Sequence, residues 1–74
     1  MEQPVYMVAL FQSVSGAMKA ESALKKESAP FKIIPVPKHI SSECGICIRF
    51  LSGDAVLIEK ILKESDLVFH IKNL

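Results

Sequence analysis

The chain contains one short, continuous apolar run near its start, VYMVALF, which spans Val5 to Phe11. The run carries no charge and shows no alternation of polar and apolar residues. This pattern is typical of a β-strand buried on both faces, and we therefore expect a central strand here. The other predicted elements can be placed by their order around this strand.

The segment after this strand has helical spacing. Its predicted apolar stripe consists of Val14, Ala17, Ala20 and Leu24. Ser13 or Ser15 can cap the helix, because a serine hydroxyl accepts a hydrogen bond from an unpaired amide of the first turn. Pro30 disfavours helical geometry in the residue before it, so we expect the helix to end near Glu27 or Ser28.

Two further strands flank a polar loop. The second strand is predicted over residues 31–36 and contains Pro35, which lacks an amide hydrogen and therefore favours an edge position or a strand end. The loop runs from Lys38 to about Glu43. The third strand, residues 46–50, alternates, which places Ile46, Ile48 and Phe50 on one face and Cys47 and Arg49 on the other.

A second helix and a final strand follow. Ser52 or Asp54 is the expected cap of the helix, whose predicted apolar stripe consists of Leu57, Ile58, Ile61 and Leu62. The last strand is predicted over residues 67–72. Its alternation places Leu67, Phe69 and Ile71 on one face, and Val68, His70 and Lys72 on the other.

The element order is therefore strand, helix, strand, strand, helix, strand. We predict one α+β domain over residues 1–74, a ferredoxin-like βαββαβ sandwich with a four-stranded antiparallel sheet and two helices on one face. The residues expected under the helices are Ile46, Ile48, Phe50, Phe69 and Ile71. The opposite sheet face carries Cys47, Arg49, His70 and Lys32 beside aliphatic residues. We expect a partner, or a second copy of the chain in a homodimer, to cover part of that face.

Composition narrows the classes of function. The 74 residues are 50% hydrophobic and carry a formal net charge of +1, with a pI near 7.8. A nucleic-acid-binding domain usually has a clustered basic face and a pI above about 9, so no nucleic-acid partner is expected. The longest apolar run is far shorter than the ~20 residues of a membrane span, and the first residues lack the basic region of a signal peptide. We expect a cytoplasmic protein with no membrane partner.

The two cysteines are the strongest candidates for chemistry. Cys44 and Cys47 form a Cys-Gly-Ile-Cys segment at the start of the third strand. In a reducing compartment such a pair is more typical of catalysis, redox chemistry or metal binding than of a structural disulfide. The pair runs into a strand and not into a helix, whose positive end would lower the pKa of a thiol. A thioredoxin-like oxidoreductase is therefore disfavoured.

Several segments of the chain resemble a known family. The matching residues are Phe31 to Pro37, Ile40 to Gly45 and Ile48 to Phe50, with Phe11 to Ser13, Ala17, Ala20, Glu21, Leu24 and Lys25 in the N-terminal half. They resemble the selenium/sulfur (Se/S) carrier protein-like family of small bacterial domains, and the resemblance covers nearly the whole chain. Two positions depart from the family pattern: Lys38 stands where an arginine is expected, and Cys47 adds a second thiol.

The resemblance implies that Cys44 and Gly45 are the functional pair, with Cys44 holding selenium or sulfur as a perselenide or persulfide. A cysteine desulfurase or a selenocysteine lyase would supply the atom, and an acceptor enzyme would take it. Cys47 could then attack Cys44, closing a disulfide and releasing the chalcogen in reduced form. The predicted binding residues are Lys38, His39, Ser41, Ser42, Gly45 and Arg49.

Two other functions remain open. In the first, the sheet face and the loop from Pro35 to Gly45 bind a small ligand or a protein partner, and the thiols are incidental, since a cysteine often packs as a small hydrophobe. In the second, Cys44 and Cys47 carry a metal together with His39, although a structural zinc site requires four ligands. The residues favour a carrier or binding protein over an enzyme, and no resident cofactor is expected.

Overall fold

The computed structural model describes residues 5–40 and 45–74. The elements are β1 (Tyr6–Phe11), α1 (Val14–Lys26), β2 (Lys32–Pro35), β3 (Ile46–Leu51), a 3-10 turn (Ser52–Asp54), α2 (Ala55–Glu64) and β4 (Phe69–Asn73). The predicted order of strands and helices is confirmed, and each strand boundary lies within two residues of its expected place. Over the described ranges, no helix combines the length and the apolar character needed to cross a membrane.

The strands of the described residues form one four-stranded antiparallel sheet in the order β2-β3-β1-β4. β1 pairs with β3 on one side and with β4 on the other, as its uninterrupted apolar sequence predicts. β2 lies at one edge of the sheet and ends at Pro35. Because proline has no amide hydrogen, Pro35 cannot donate a backbone hydrogen bond to a neighbouring strand. The central position of β1 and the edge position of the proline-containing strand are therefore confirmed.

Both helices pack on the same face of the sheet. One apolar core joins Ala17, Ala20 and Leu24 of α1, Ile58, Ile61 and Leu62 of α2, and Ala9, Phe11, Ile48 and Phe50 of the sheet, with Ile46, Phe69 and Ile71 packed against it. The predicted stripes are wrong at two positions, because Val14 is 54% exposed and Leu57 is 44% exposed. Each of these residues stands in the first turn of its helix, at the margin of the contact with the sheet.

The two helices begin differently. Ser13 is extended and caps α1, with the Gly16 amide donating to its Oγ at 3.2 Å. Ser13, and not Ser15, is therefore the cap. α2 is entered through the 3-10 turn, and Asp54 occupies its N-cap position without a side-chain capping bond. Asp54, one of the two predicted caps, therefore holds the predicted position, although within the described residues neither Ser52 nor Asp54 makes a side-chain capping bond.

Both helices end in the same hydrogen-bonded motif. After α1, the Ala29 amide donates to the Leu24 carbonyl oxygen at 2.9 Å, and the Ser28 amide donates to the Lys25 carbonyl oxygen at 3.0 Å. The corresponding amides after α2 make the same two bonds, with Asp66 in the place of Ser28. This pair of bonds defines a Schellman motif, which requires a left-handed residue just beyond the helix. Ser28 and Asp66 fill that position with φ of 56° and 58°.

Candidate functional site

The candidate site is built on the connection between β2 and β3. At its base, the Val36 amide donates a hydrogen bond to the Gly45 carbonyl oxygen at 3.2 Å. This bond lies next to the paired residues Pro35 and Ile46, so the contact between the two strands continues as far as Gly45. Gly45, the second residue of the predicted Cys44–Cys47 segment, is thereby attached to the end of the sheet.

Gly45 is exposed, and the described residues leave the space beside its Cα atom open. Among the described residues, no heavy atom lies within 4 Å of the place that a Cβ would occupy. The Gly45 backbone is also outside the left-handed region that favours glycine. Within the described part of the chain, neither packing nor backbone conformation requires a glycine here, and the missing side chain leaves room for an approaching molecule.

Three of the predicted site residues, Ser41, Ser42 and Cys44, lie outside the described residues. Their predicted roles stay predictions. The sequence places Cys44 directly before Gly45, the residue that the sheet holds.

Lys38 and His39 lie at the tip of a turn. The Ile40 amide donates to the Pro37 carbonyl oxygen at 3.0 Å, and Lys38 and His39 are the two residues between them. Both are exposed. Their side chains therefore have the access to solvent that a role in binding a partner requires.

Cys47 is fully buried, with 0% of its surface exposed, on the sheet face opposite the helices. It belongs to a second apolar cluster with Val8, Leu10 and Ile40, against which Ile34 and Val36 pack. Ile40 and Val36 come from the β2–β3 connection, which therefore folds back over the sheet. Part of the face for which the sequence predicts an external partner is covered by the chain itself. A reagent can reach Cys47 only when this cluster opens.

Arg49 lies towards the other end of β3, on the same face as Cys47. The strand register aligns one row of residues across the sheet, namely Lys32, Arg49, Val8 and Lys72. The Cζ atom of Arg49 is 4.5 Å from the centre of the Tyr6 ring, which is a cation–π contact. Arg49 is four positions after Gly45, a distance of about 13 Å along the strand. The structure therefore does not bring Arg49 to Gly45, and these two described members of the predicted binding set lie towards opposite ends of β3.

The described residues also bear on metal binding. Over residues 5–40 and 45–74, no group of three His, Cys, Asp or Glu side chains is placed to hold a metal ion. His39 is exposed on the turn, whereas Cys47 is buried beneath the same connection. These two members of the predicted metal set thus lie in different environments.

Comparison with known proteins adds one match. A family model described as "Putative Se/S carrier protein-like" matches residues 6–71. The match begins at the first residue of β1 and ends within β4, so it includes both helices and the β2–β3 connection. Searches of curated proteins and of solved structures gave no match. Because the family model covers most of the chain, the protein belongs to the Se/S carrier protein-like family.

Proposed function

We propose that this protein carries selenium or sulfur on Cys44, as a perselenide or persulfide, between a donor enzyme and an acceptor enzyme in the cytoplasm. Donors of this chemistry are enzymes of the cysteine desulfurase or selenocysteine lyase type. The family match, which includes Cys44 and Gly45, supports the proposal. The observation that carries it is the space that the described residues leave open beside Gly45, the residue next to the thiol in the sequence.

The transfer exchanges one sulfur–sulfur bond for another. The Cys44 thiolate attacks the terminal sulfur of a persulfide on the donor, a bond forms between Cys44 Sγ and that sulfur, and the donor thiolate leaves. The acceptor's thiolate repeats the same step on Cys44. Neither step changes the overall oxidation level, so no external oxidant or reductant is needed. The selenium reaction follows the same sequence.

Release to an acceptor thiol fits the position of Cys47 better than release by Cys47 itself. The Cys47 side chain is fully buried in the cluster that includes Ile40. Attack by this thiol on Cys44 would first require the cluster to open. We therefore assign release to the acceptor enzyme, and we assign Lys38 and His39, exposed on the turn, to contact with the partner enzymes.

We also assign the fold to the ferredoxin-like arrangement. The element order βαββαβ, the strand order β2-β3-β1-β4 and the two helices on one face support this assignment. In this arrangement the β2–β3 connection lies on the side of the sheet away from the helices. A partner enzyme could reach Gly45 there without displacing the helical layer.

Intact-protein mass spectrometry tests the carrier proposal. The reduced protein is incubated with a cysteine desulfurase and L-cysteine, or with a selenocysteine lyase and L-selenocysteine. We expect a mass increase of one sulfur or selenium atom that dithiothreitol removes. Cys44→Ser should abolish the adduct, and Cys47→Ala should retain it. The proposal fails if the wild-type protein gains no atom from either donor, or if the Cys44→Ser variant gains one.

A further inference from the structure

A small groove opens at the end of the sheet that lies away from Gly45. It holds about 170 Å³ and is formed where β1 and β2 begin and β3 ends. Phe31 and Phe50 line it, and Phe50 is almost fully buried. Its volume is close to that of a cavity of ~150 Å³ that holds benzene. The groove therefore suits a compact ligand with an apolar part.

Three charged side chains line the same groove: Lys32, Arg49 and Asp54. The ion pairs in residues 5–40 and 45–74 are those of Lys25 with Glu21 and of Lys63 with Glu59, so none of the three groove residues has an ionic partner there. Lys32 and Arg49 are directly opposite each other in the β2–β3 register, an arrangement in which like charges destabilise a sheet. A bound anion would relieve this repulsion.

Asp54 contributes the opposite charge. It stands at the N-cap position of α2, where an aspartate commonly accepts a hydrogen bond from the first turn, yet its side chain makes no such bond. Among the described residues, its carboxylate therefore has neither a capping bond nor an ionic partner, and it lines the same groove as Lys32 and Arg49, which have no ionic partner there either. Charges of both signs around one small volume suit a ligand that itself carries both charges.

The Tyr6 ring lies against the guanidinium group of Arg49. The guanidinium carbon lies 4.5 Å from the ring centre. A guanidinium over an aromatic ring uses its face for that contact and keeps the N–H groups at its edge for an anion. Those N–H groups form a planar fork that matches a carboxylate in bidentate fashion. The contact with Tyr6 restricts the Arg49 side chain before a ligand binds, so less conformational entropy is lost on binding.

We propose that this groove binds a free α-amino acid with a compact apolar side chain. The ligand's carboxylate pairs with Arg49 and Lys32, its ammonium group pairs with Asp54, and its side chain contacts Phe31, which is half-buried. A carboxylate without an ammonium group would leave Asp54 unpaired beside a second anion. An amine without a carboxylate would leave both cations unpaired. This site is separate from Cys44 and goes beyond the carrier function.

Nuclear magnetic resonance titration of the isotope-labelled full chain with L-leucine tests the proposal. We expect amide shifts at Lys32, Arg49 and Asp54. Arg49→Gln should weaken leucine binding about ten- to a hundredfold, since a hydrogen bond to a charged group contributes about 1.5–3 kcal/mol. The matched control is Lys72→Gln, which removes a cation from the same cross-strand row but outside the groove lining, and it should leave the affinity unchanged.

Two analogues test the pairing of both charges. Isocaproate is leucine without its ammonium group, and isoamylamine is leucine without its carboxylate. Both should bind the wild-type protein more weakly than leucine, and Asp54→Asn should remove the difference between leucine and isocaproate. Thermal melting of each variant confirms that it is folded. The proposal is overturned if leucine produces no shifts in the groove, if isocaproate binds as well as leucine to the wild type, or if Lys72→Gln weakens binding as much as Arg49→Gln.

Discussion

The Val36 amide and the Gly45 carbonyl oxygen, 3.2 Å apart, join the two ends of the connection between β2 and β3. The bond fixes Gly45 to the sheet, while the turn from Pro37 to Ile40 crosses the face away from the helices. The residue that follows Cys44 is therefore held by regular backbone pairing and is at the same time exposed. A carrier needs both properties, because its thiol must be presented to a partner in a defined position.

Replacing Gly45 with alanine should reduce the access of reagents to Cys44 without changing the stability of the protein. Since no described heavy atom lies within 4 Å of the added Cβ, we expect the free energy of unfolding to change by less than about 0.5 kcal/mol. The alkylation rate of Cys44 should fall, because the residue that follows it would then carry a methyl group. Urea unfolding and mass spectrometry measure the two quantities. Gly53→Ala, which also has open space at its Cβ, is the control and should alter neither. Unchanged alkylation in Gly45→Ala would contradict the argument.

Replacing Ile40 with alanine should expose Cys47. Ile40 is 8% exposed and shares the cluster of Cys47. We expect a loss of about 2 kcal/mol in the free energy of unfolding, the low end for an isoleucine-to-alanine change, because Ile40 lies at the margin of its cluster.

The alkylation rate of Cys47, measured in a Cys44→Ser background, should rise as the cluster opens more often. Leu57→Ala, at a residue that is 44% exposed, serves as the control and should leave that rate unchanged. A wild-type Cys47 that reacts as fast as cysteine in an unfolded peptide would be inconsistent with its burial.

Glycine at either helix end should stabilise the protein. Ser28 and Asp66 have left-handed φ, which costs a residue with a Cβ roughly 1–2 kcal/mol. Glycine avoids this cost, but its more flexible unfolded chain offsets about 0.5–1 kcal/mol of the stabilisation. We therefore expect Ser28→Gly to raise the free energy of unfolding by about 0.5–1 kcal/mol, and Asp66→Gly by less, since aspartate tolerates this region better. Ser22→Gly, inside α1, should instead destabilise. Chemical denaturation compares the three variants, and a loss of stability in Ser28→Gly would refute the expectation.

The two serines at the start of α1 should respond differently to alanine. Ser13→Ala removes the oxygen that accepts from the Gly16 amide, and we expect a loss of about 1 kcal/mol. Ser15 lies within the helix and is exposed, so Ser15→Ala should be neutral or slightly stabilising because alanine has the higher helix propensity. Thermal melting at one pH decides between them. Equal effects of the two changes would show that the cap contributes nothing specific.

The sequence predicts most of the fold because its patterns have direct physical causes. An uncharged run such as β1 is stable only where both faces are covered, which means the middle of the sheet. Pro35 lacks a donor, and a strand that contains it is best accommodated at an edge. Periodicity was less informative at Val14 and Leu57, because it assigns a residue to a helix face and does not say where the helix leaves the sheet.

The candidate site is only partly readable from the sequence. The Cys44–Gly45 pair can be named from its residues and from the family pattern, whereas the packing of Ile40 in the Cys47 cluster depends on how a polar loop folds. The available indication was that Ile40 is the one large aliphatic residue between Lys38 and Glu43. The groove was not predictable, because its charges come from different elements and meet only through the strand register.

The proline at the end of β2 also makes the two borders of the sheet unequal towards assembly. A strand from another molecule that docked along β2 would meet Pro35 and lose one backbone bond, while β4 runs from Phe69 to Asn73 with no proline. Growth into a larger sheet, including unwanted polymerisation at high concentration, would therefore begin at β4.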